Sequence, residues 1–385
     1  MISRARALLL LGSLMWLSCG TSGSLRIGTF FEKSNLPAWS VIGGNERRDH
    51  YFDGGLTPPM ELVWVKKISS APSAHVLVSD NVVYVSTLDS RVYAFILSDG
   101  RQVGSLKFKF ASQNGISLDH QTAYIALAWG EKPLYAYNLF DADFKYSVRM
   151  PPVETNPIVH EEYLYLGGLD GKFYALNPED GKTLWTFEAS KPIRSSPALS
   201  STAVYFGCDD GFVYSLNRFS GSLIWKFRTG GTVYATPALD DQFVYIGSTD
   251  GKFYVLGKAD GKLHWTFSVG DTVPGRFYAS AGLSSDCVFL GATDGNVYAL
   301  SKKDGRLFWT FKTGGAVSVA PLVTPDAVFV GSQNGMLYAL EPSGGKCVWT
   351  FETNSRIKSE MAAYGKYLIV ASERKHVYVF RSAMP

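Results

Sequence analysis

The chain has 385 residues, of which 46% are hydrophobic, 14% aromatic and 18% charged, which is ample material for a large core and too little charge for disorder. Its formal charge of +3, with no basic cluster on one face or helix, argues against a nucleic-acid partner.

In chain order, the first element is an export signal: Arg4 and Arg6 precede a short apolar run, Ala7 to Leu17, and small residues follow. That run is too short to span a bilayer. It closes on Ser18-Cys19-Gly20, and a small residue before a cysteine resembles the bacterial lipoprotein processing site, where the cysteine becomes the acylated N-terminus. Trp16 stands where that pattern has leucine, and Leu17 comes one place late. An ordinary cleaved signal, leaving a soluble periplasmic or secreted protein, is the alternative. Gly20 is not the aspartate of inner-membrane retention, so the resemblance implies the outer membrane, facing the periplasm. Residues 1–19 are thus read as signal peptide and residues 20–38, with their Gly and Ser, as a tether.

Beyond the tether one phrase recurs: Phe173-Tyr174-Ala175-Leu176, Val213-Tyr214-Ser215-Leu216, Phe253-Tyr254-Val255-Leu256, Val297-Tyr298-Ala299-Leu300 and Leu337-Tyr338-Ala339-Leu340. With the tyrosine as marker, Tyr93, Tyr135, Tyr174, Tyr214, Tyr254, Tyr298, Tyr338 and Tyr378 are separated by 42, 39, 40, 40, 44, 40 and 40 residues. Self-similarity at such a period signals a repeat architecture. Each unit holds four strand-length runs rich in β-branched and aromatic residues, such as Ser196–Leu199, Val204–Gly207, Phe212–Leu216 and Leu223–Phe227. Asp210-Gly211, Asp250-Gly251, Asp294-Gly295 and Asn334-Gly335 join the second run to the third, supplying the positive φ of tight hairpins. Gly181, Gly221, Gly261, Gly305 and Gly345 mark the turn into the fourth run. The fold expected is all-β: eight four-stranded antiparallel sheets set radially as a propeller, over residues 39–385.

A tryptophan follows the marker by eleven residues at Trp185, Trp225, Trp265, Trp309 and Trp349, on the outermost strand. Gly104 and Tyr146 stand there in two blades. After Tyr378 only seven residues remain, too few for a fourth strand, whereas Trp64 precedes Tyr93 by the same 29 residues that separate Trp185 from Tyr214. Residues near 60–68 should therefore be the outer strand of the last blade. The six tryptophans, Trp64 included, are read as packing elements, because one ligand does not need so many equivalent rings. Cys208, Cys287 and Cys347 lie in strand patterns as small apolar residues, no histidine pair has metal spacing, and Trp129 is expected to pack locally.

Ala175-Leu-Asn-Pro-Glu-Asp-Gly181-Lys-Thr-Leu-Trp185 resembles the tryptophan-docking motif of the pyrroloquinoline quinone (PQQ) enzyme repeat, with Asn177 and Asp180 in place of its usual Asp and Thr. Trp39 with Gly43-Gly44-Asn45 is similar to the segment that opens such propellers. The family includes quinone-dependent dehydrogenases and non-catalytic lipoproteins of outer-membrane β-barrel assembly. The dehydrogenase reading implies an adjacent-cysteine disulfide and a calcium set beside the quinone; no Cys-Cys pair occurs, and no calcium set is assignable. The resemblance therefore implies a scaffold without catalytic, cofactor or metal residues, bound to an envelope protein partner and held to the membrane by a lipid on Cys19. A PQQ-dependent enzyme and a small-ligand or sensor propeller using the channel are the alternatives.

Twenty residues before each marker stand Ser73, Gly115, Glu154, Arg194, Tyr234, Tyr278, Ser318 and Lys358, which vary while packing residues repeat. Variation at a symmetric position is the pattern of a functional surface grafted on a repeat. The 44-residue interval places its extra residues near Val273-Pro-Gly-Arg276-Phe277-Tyr278. Arg194, Tyr234, Arg276, Phe277, Tyr278, Arg356 and Lys358 are the expected partner surface, a basic and aromatic rim suited to an acidic segment.

Overall fold

A computed structural model of the protein describes residues 22–27, 38–109, 115–269 and 276–383; the expected lipidation at Cys19 lies outside them. The eight sheets are antiparallel meanders, and their first strands, such as Ala198–Leu199 and Ala238–Leu239, contact one another at the centre of the ring. The second and third strands of each blade carry the core: Ala203–Gly207 is buried at every position, while the fourth strand, Leu223–Arg228, alternates exposed with covered residues. The marker tyrosines of blades 3, 4 and 5 share a local task. The hydroxyl of Tyr174 donates to Asp170 Oδ2 (2.6 Å), Tyr214 to Asp210 (2.7 Å) and Tyr254 to Asp250 (2.5 Å), pinning the Asp-Gly turn that precedes its strand.

The last blade is completed by the start of the folded chain. Met60–Lys67 pairs antiparallel with His376–Ser382, Trp64 opposite Val379. The sheet order puts Met60–Lys67 outermost, beyond His376–Ser382 and Tyr367–Ser372, with Ala362–Tyr364 innermost.

Neighbouring blades are joined by one recurring contact. The indole Nε1 of Trp185 donates to Arg218 O (3.1 Å), Trp225 to Lys258 O (3.0 Å), Trp265 to Lys302 O (2.9 Å), Trp309 to Pro342 O (2.9 Å) and Trp64 to Leu97 O (2.7 Å). The accepting carbonyl always belongs to the residue four after the next blade's marker tyrosine. The ring then lies on that blade's turn glycine: a Cβ on Gly261 (φ +68°) would come within 2.6 Å of the Trp225 ring. Only glycine gives both the positive φ and the flat seat.

The two blades without tryptophan solve the same problem otherwise. Tyr146 donates its hydroxyl to Pro178 O (2.9 Å) and covers Gly181. Gly104 has no side chain to offer, and residues assigned to the tether fill the gap. Ser22–Ser24 pairs with Gln102–Lys107 as a fifth strand of blade 1, Leu25 is fully buried, and Ile27 N–H donates to Leu139 O (2.9 Å), the carbonyl that an indole reaches elsewhere. A Cβ on Gly104 would meet Ser24 O at 3.0 Å and Leu25 Cα at 3.1 Å. Where no ring is seated, the turn position is Ala142 (φ +61°) instead of glycine. Residues 22–27 are therefore part of the propeller and not tether, because the blade 1 to blade 2 junction is open without them.

Trp225→Ala should destabilise the protein by about 3–5 kcal/mol, as large aromatic truncations in cores do, read by denaturant unfolding. Leu25→Asp should lower the melting temperature through the blade 1 junction, and Gly104→Trp with Ala142→Gly should restore stability to a chain carrying it by rebuilding the indole contact.

Candidate functional site

At one end of the ring the chain enters each first strand. The residue just before the variable rim position repeats as a buried plug: Val153, Ile193, Val233, Val317 and Ile357 are all at most 1% exposed. Ile193 sits against Gly167, Val233 against Gly207, Val317 against Gly291 and Ile357 against Gly331. Phe277 occupies this position in blade 6, is 1% exposed, lies over Gly247 and contacts the rings of Phe253 and Phe267. It belongs to the core between blades and not to the rim, contrary to expectation; the alignment at twenty-one residues before the marker was the signal for this. The insertion residues 270–275 lie outside the described ones.

The rim is less basic than its composition implied. Arg194 Nε bonds Glu154 Oε2 (2.9 Å) and its Nη1 bonds Asp209, so its charge is matched by two carboxylates. Arg356 and Lys358 both approach Glu373, at 3.8 and 2.8 Å. What stands exposed is aromatic: Tyr234 and Tyr278, from adjacent blades, stack with centroids 6.1 Å apart, and Arg276 Nη1 donates to the Tyr278 hydroxyl (3.1 Å). Trp129, expected to pack, is 56% exposed on the second turn of blade 2.

The opposite end is capped by the protein's own chain. Residues 39–52 cross it and touch every blade. Trp39 exchanges main-chain bonds with Val78, and Ser40, Glu46, Arg47, Asp49 and His50 accept from Leu118, Leu199, Leu239, Leu283 and Val323. His160 of blade 3 bonds Glu46, and Glu360 Oε2 of blade 8 bonds His50 Nε2 (2.9 Å). The turn needs its glycines: a Cβ on Gly44 (φ +82°) would lie 2.7 Å from the Trp39 ring. Fully buried Arg48 donates to Pro197 O (3.1 Å) and Ile42 O (2.6 Å), and burial pulls its pKa down to about 9 against the opposing pull of Glu360. Around the cap lie two open grooves, one of about 570 Å³ lined by Arg218, Phe219, Asp240 and Lys258 among others, one of about 580 Å³ along Asn45, Arg47 and Asp49. Sequence reasoning missed these; Gly43-Gly44-Asn45 marked the segment but not its path.

Eighteen residues before each marker, the first strands carry His75, Ser117, Asn156, Ser196, Thr236, Ser280, Ala320 and Glu360. A quinone beside calcium needs carboxylate and amide oxygens converging on one point. Glu360 is the one carboxylate of this ring and is held by His50, Asn156 is bonded to Gly115 and Ser196, and among the described residues no three His, Cys, Asp or Glu side chains are grouped to hold a metal ion. These donors do not fit the pair. Cys208 is buried, which pushes its thiol up to about 12, away from nucleophilic use.

Fold and junction contacts together define the class, an eight-bladed propeller with quinoprotein-type tryptophan docking. The sequence model of the family described as outer membrane protein assembly factor BamB matches residues 142–229, 169–313 and 293–383, more than half of the chain, and the chain belongs to that family. No curated protein matches the sequence. Among solved structures, BamB from Moraxella catarrhalis is similar at 16% identity and a TM-score of 0.71, over 84% of this chain and 100% of that one. Quinohemoprotein alcohol dehydrogenase from Comamonas testosteroni is similar at 14% and 0.76, over 93% and 83%. A europium-containing methanol dehydrogenase is similar at 12% and 0.74, over 92% and 99%. At such identities the likeness is one of fold, shared by a BamB and by dehydrogenases alike.

His75 supplies a pH test of the capped channel. Its Nε2 bonds Ile116 O (2.9 Å), and burial lowers its pKa to about 4 from 6.5. Below the unfolded value the unfolded chain binds a proton that the native one refuses, so stability falls as pH drops from about 6.5 to 4, by up to about 3 kcal/mol. Denaturant unfolding across that window should show the slope, and His75→Gln should flatten it.

Proposed function

We propose that the protein is a non-catalytic scaffold of the cell envelope, anchored by a lipid on Cys19 at the outer membrane, whose rim binds a protein partner in outer-membrane β-barrel assembly. Membership of the assembly-factor family and the exposed Tyr234–Tyr278 pair with Arg276 support this reading. Tyrosine and arginine are the residue types that dominate interface hot spots, since a rigid ring gives contact area at small entropy cost. The pair rests on first strands locked by the plug residues, so the partner meets a preformed surface.

Capture from envelope extracts tests it. The mature protein should retain a membrane-assembly protein, and the triple variant Tyr234→Ser, Tyr278→Ser, Arg276→Ser should lose on the order of tenfold in retention with an unchanged melting temperature. Recovery of no assembly protein by the native bait, or equal recovery by the variant, overturns the assignment of the rim.

A further inference from the structure

The N-terminal clip fixes where the folded chain leaves the ring. Ser22 lies opposite Lys107 and Ser24 opposite Ser105, so the strand leads backward, toward residue 21, to the end of blade 1 where Lys107 stands. At that end Phe108 N–H donates to Ser90 O (2.8 Å), tying the strand's exit to the Thr87–Ser90 turn. Cys19 is three residues from Ser22, and three extended residues span at most about 11 Å. An acyl chain on Cys19 would hold this corner of the ring, and no other, against the bilayer.

The same corner carries side chains that suit a lipid surface. Leu88 is 46% exposed on the turn of blade 1, and Trp129, the most exposed of the large apolar side chains described, is 56% exposed on the equivalent turn of blade 2. Lys132 is exposed beside Trp129, and Lys107 is half-buried at the strand end. The local acids face cations: Asp89, which also accepts from the hydroxyls of Ser69 and Thr87, lies near Lys107 and Arg91, and Glu131 pairs with Arg149 (2.8 Å). An exposed indole with a lysine on the same turn is a composition that settles at a bilayer's headgroup level, the ring among the carbonyls and the ammonium group among phosphates.

We propose that the turn end of blades 1 and 2, with Trp129 and Leu88 at its tip, is a membrane-contact surface for a phospholipid headgroup layer containing anionic lipid. It rests on the anchoring at Cys19 put forward above. A lipid alone is a swivel; a second contact beside the clip fixes the tilt of the ring, leaving the Tyr234–Tyr278 pair on blades 5 and 6, half a turn away, free of the bilayer.

Two measurements separate this surface from the anchor. Mature protein carrying Cys19→Ser, which cannot be acylated, is sedimented with vesicles of phosphatidylethanolamine and phosphatidylglycerol at low ionic strength. Association that weakens with salt is expected, with a loss on the order of tenfold in Trp129→Ser, Leu88→Ser and none in Ile224→Ser, Leu263→Ser, which removes equally exposed apolar groups from blades 4 and 5. No association, or the same loss in both variants, overturns the surface. The mass of the N-terminal peptide from protein exported with its own signal tests the anchor separately: an unmodified Cys19 overturns the anchoring reading, while the vesicle result still decides the surface.

Discussion

Seven of the eight junctions rest on a single kind of contact, a donor at the outer edge of one blade reaching a turn carbonyl of the next. That carbonyl would otherwise be left at a crowded junction, where an unmatched polar group costs more than the bond itself is worth. The protein meets it in three chemically different ways: an indole N–H in five junctions, the phenol of Tyr146 in one, and the main-chain N–H of Ile27 in another. In the junction between blades 7 and 8 the Trp349 ring packs edge-on against Phe380. The residue beneath the donor follows the donor: glycine under an aromatic ring, alanine at residue 142 where no ring is seated. Across these seven junctions the accepted carbonyl is constant while the donor changes.

Once the junctions hold the blades, most of the loop residues are released from structural duty, and the two ends diverge. At one end the cap of residues 39–52 spends its main-chain carbonyls on the first strands and its buried arginine and histidine on the channel, so that mouth is sealed by the chain itself. At the other end the plug residues stop the gap between blades one position before the rim, and side chains beyond them are free to vary. A binding scaffold and an enzyme can share such a ring because nothing in the junctions constrains those positions. In this chain the oxygen donors that face the channel are mostly hydroxyls.

Much of the fold was legible because a repeat displays its packing residues many times over. Blade number, turn positions and the closing strand at Trp64 followed from intervals between Tyr93 and Tyr378. Several readings failed for one physical reason: each depends on neighbours in space that the repeated phrase does not display. Phe277 looked like an exposed hot-spot aromatic until the buried plug series placed it beside Ile193 and Val233. Residues 22–27 looked like linker because Gly and Ser dominate, and Leu25 and Ile27 gain meaning only beside Gly104 and Leu139. The rim looked basic because composition lists Arg194, Arg356 and Lys358 without the carboxylates of Glu154, Asp209 and Glu373 that neutralise them.

The start of the chain carries an unusual share of these long-range contacts. Residues 22–27 fill the junction between blades 1 and 2, residues 39–52 bridge all eight blades, and residues 60–67 finish the last sheet. Blades 2 to 7 are local meanders that need only their own hairpins, whereas each N-terminal piece must wait for partners made later, up to Ser382 opposite Met60. Contacts of such separation close loops whose entropy is repaid only at the end, so the N-terminal segments are the last to gain their full set of bonds. The residues that close the ring therefore lie together at the start of the folded chain, and the ring is complete only once the last blade has formed.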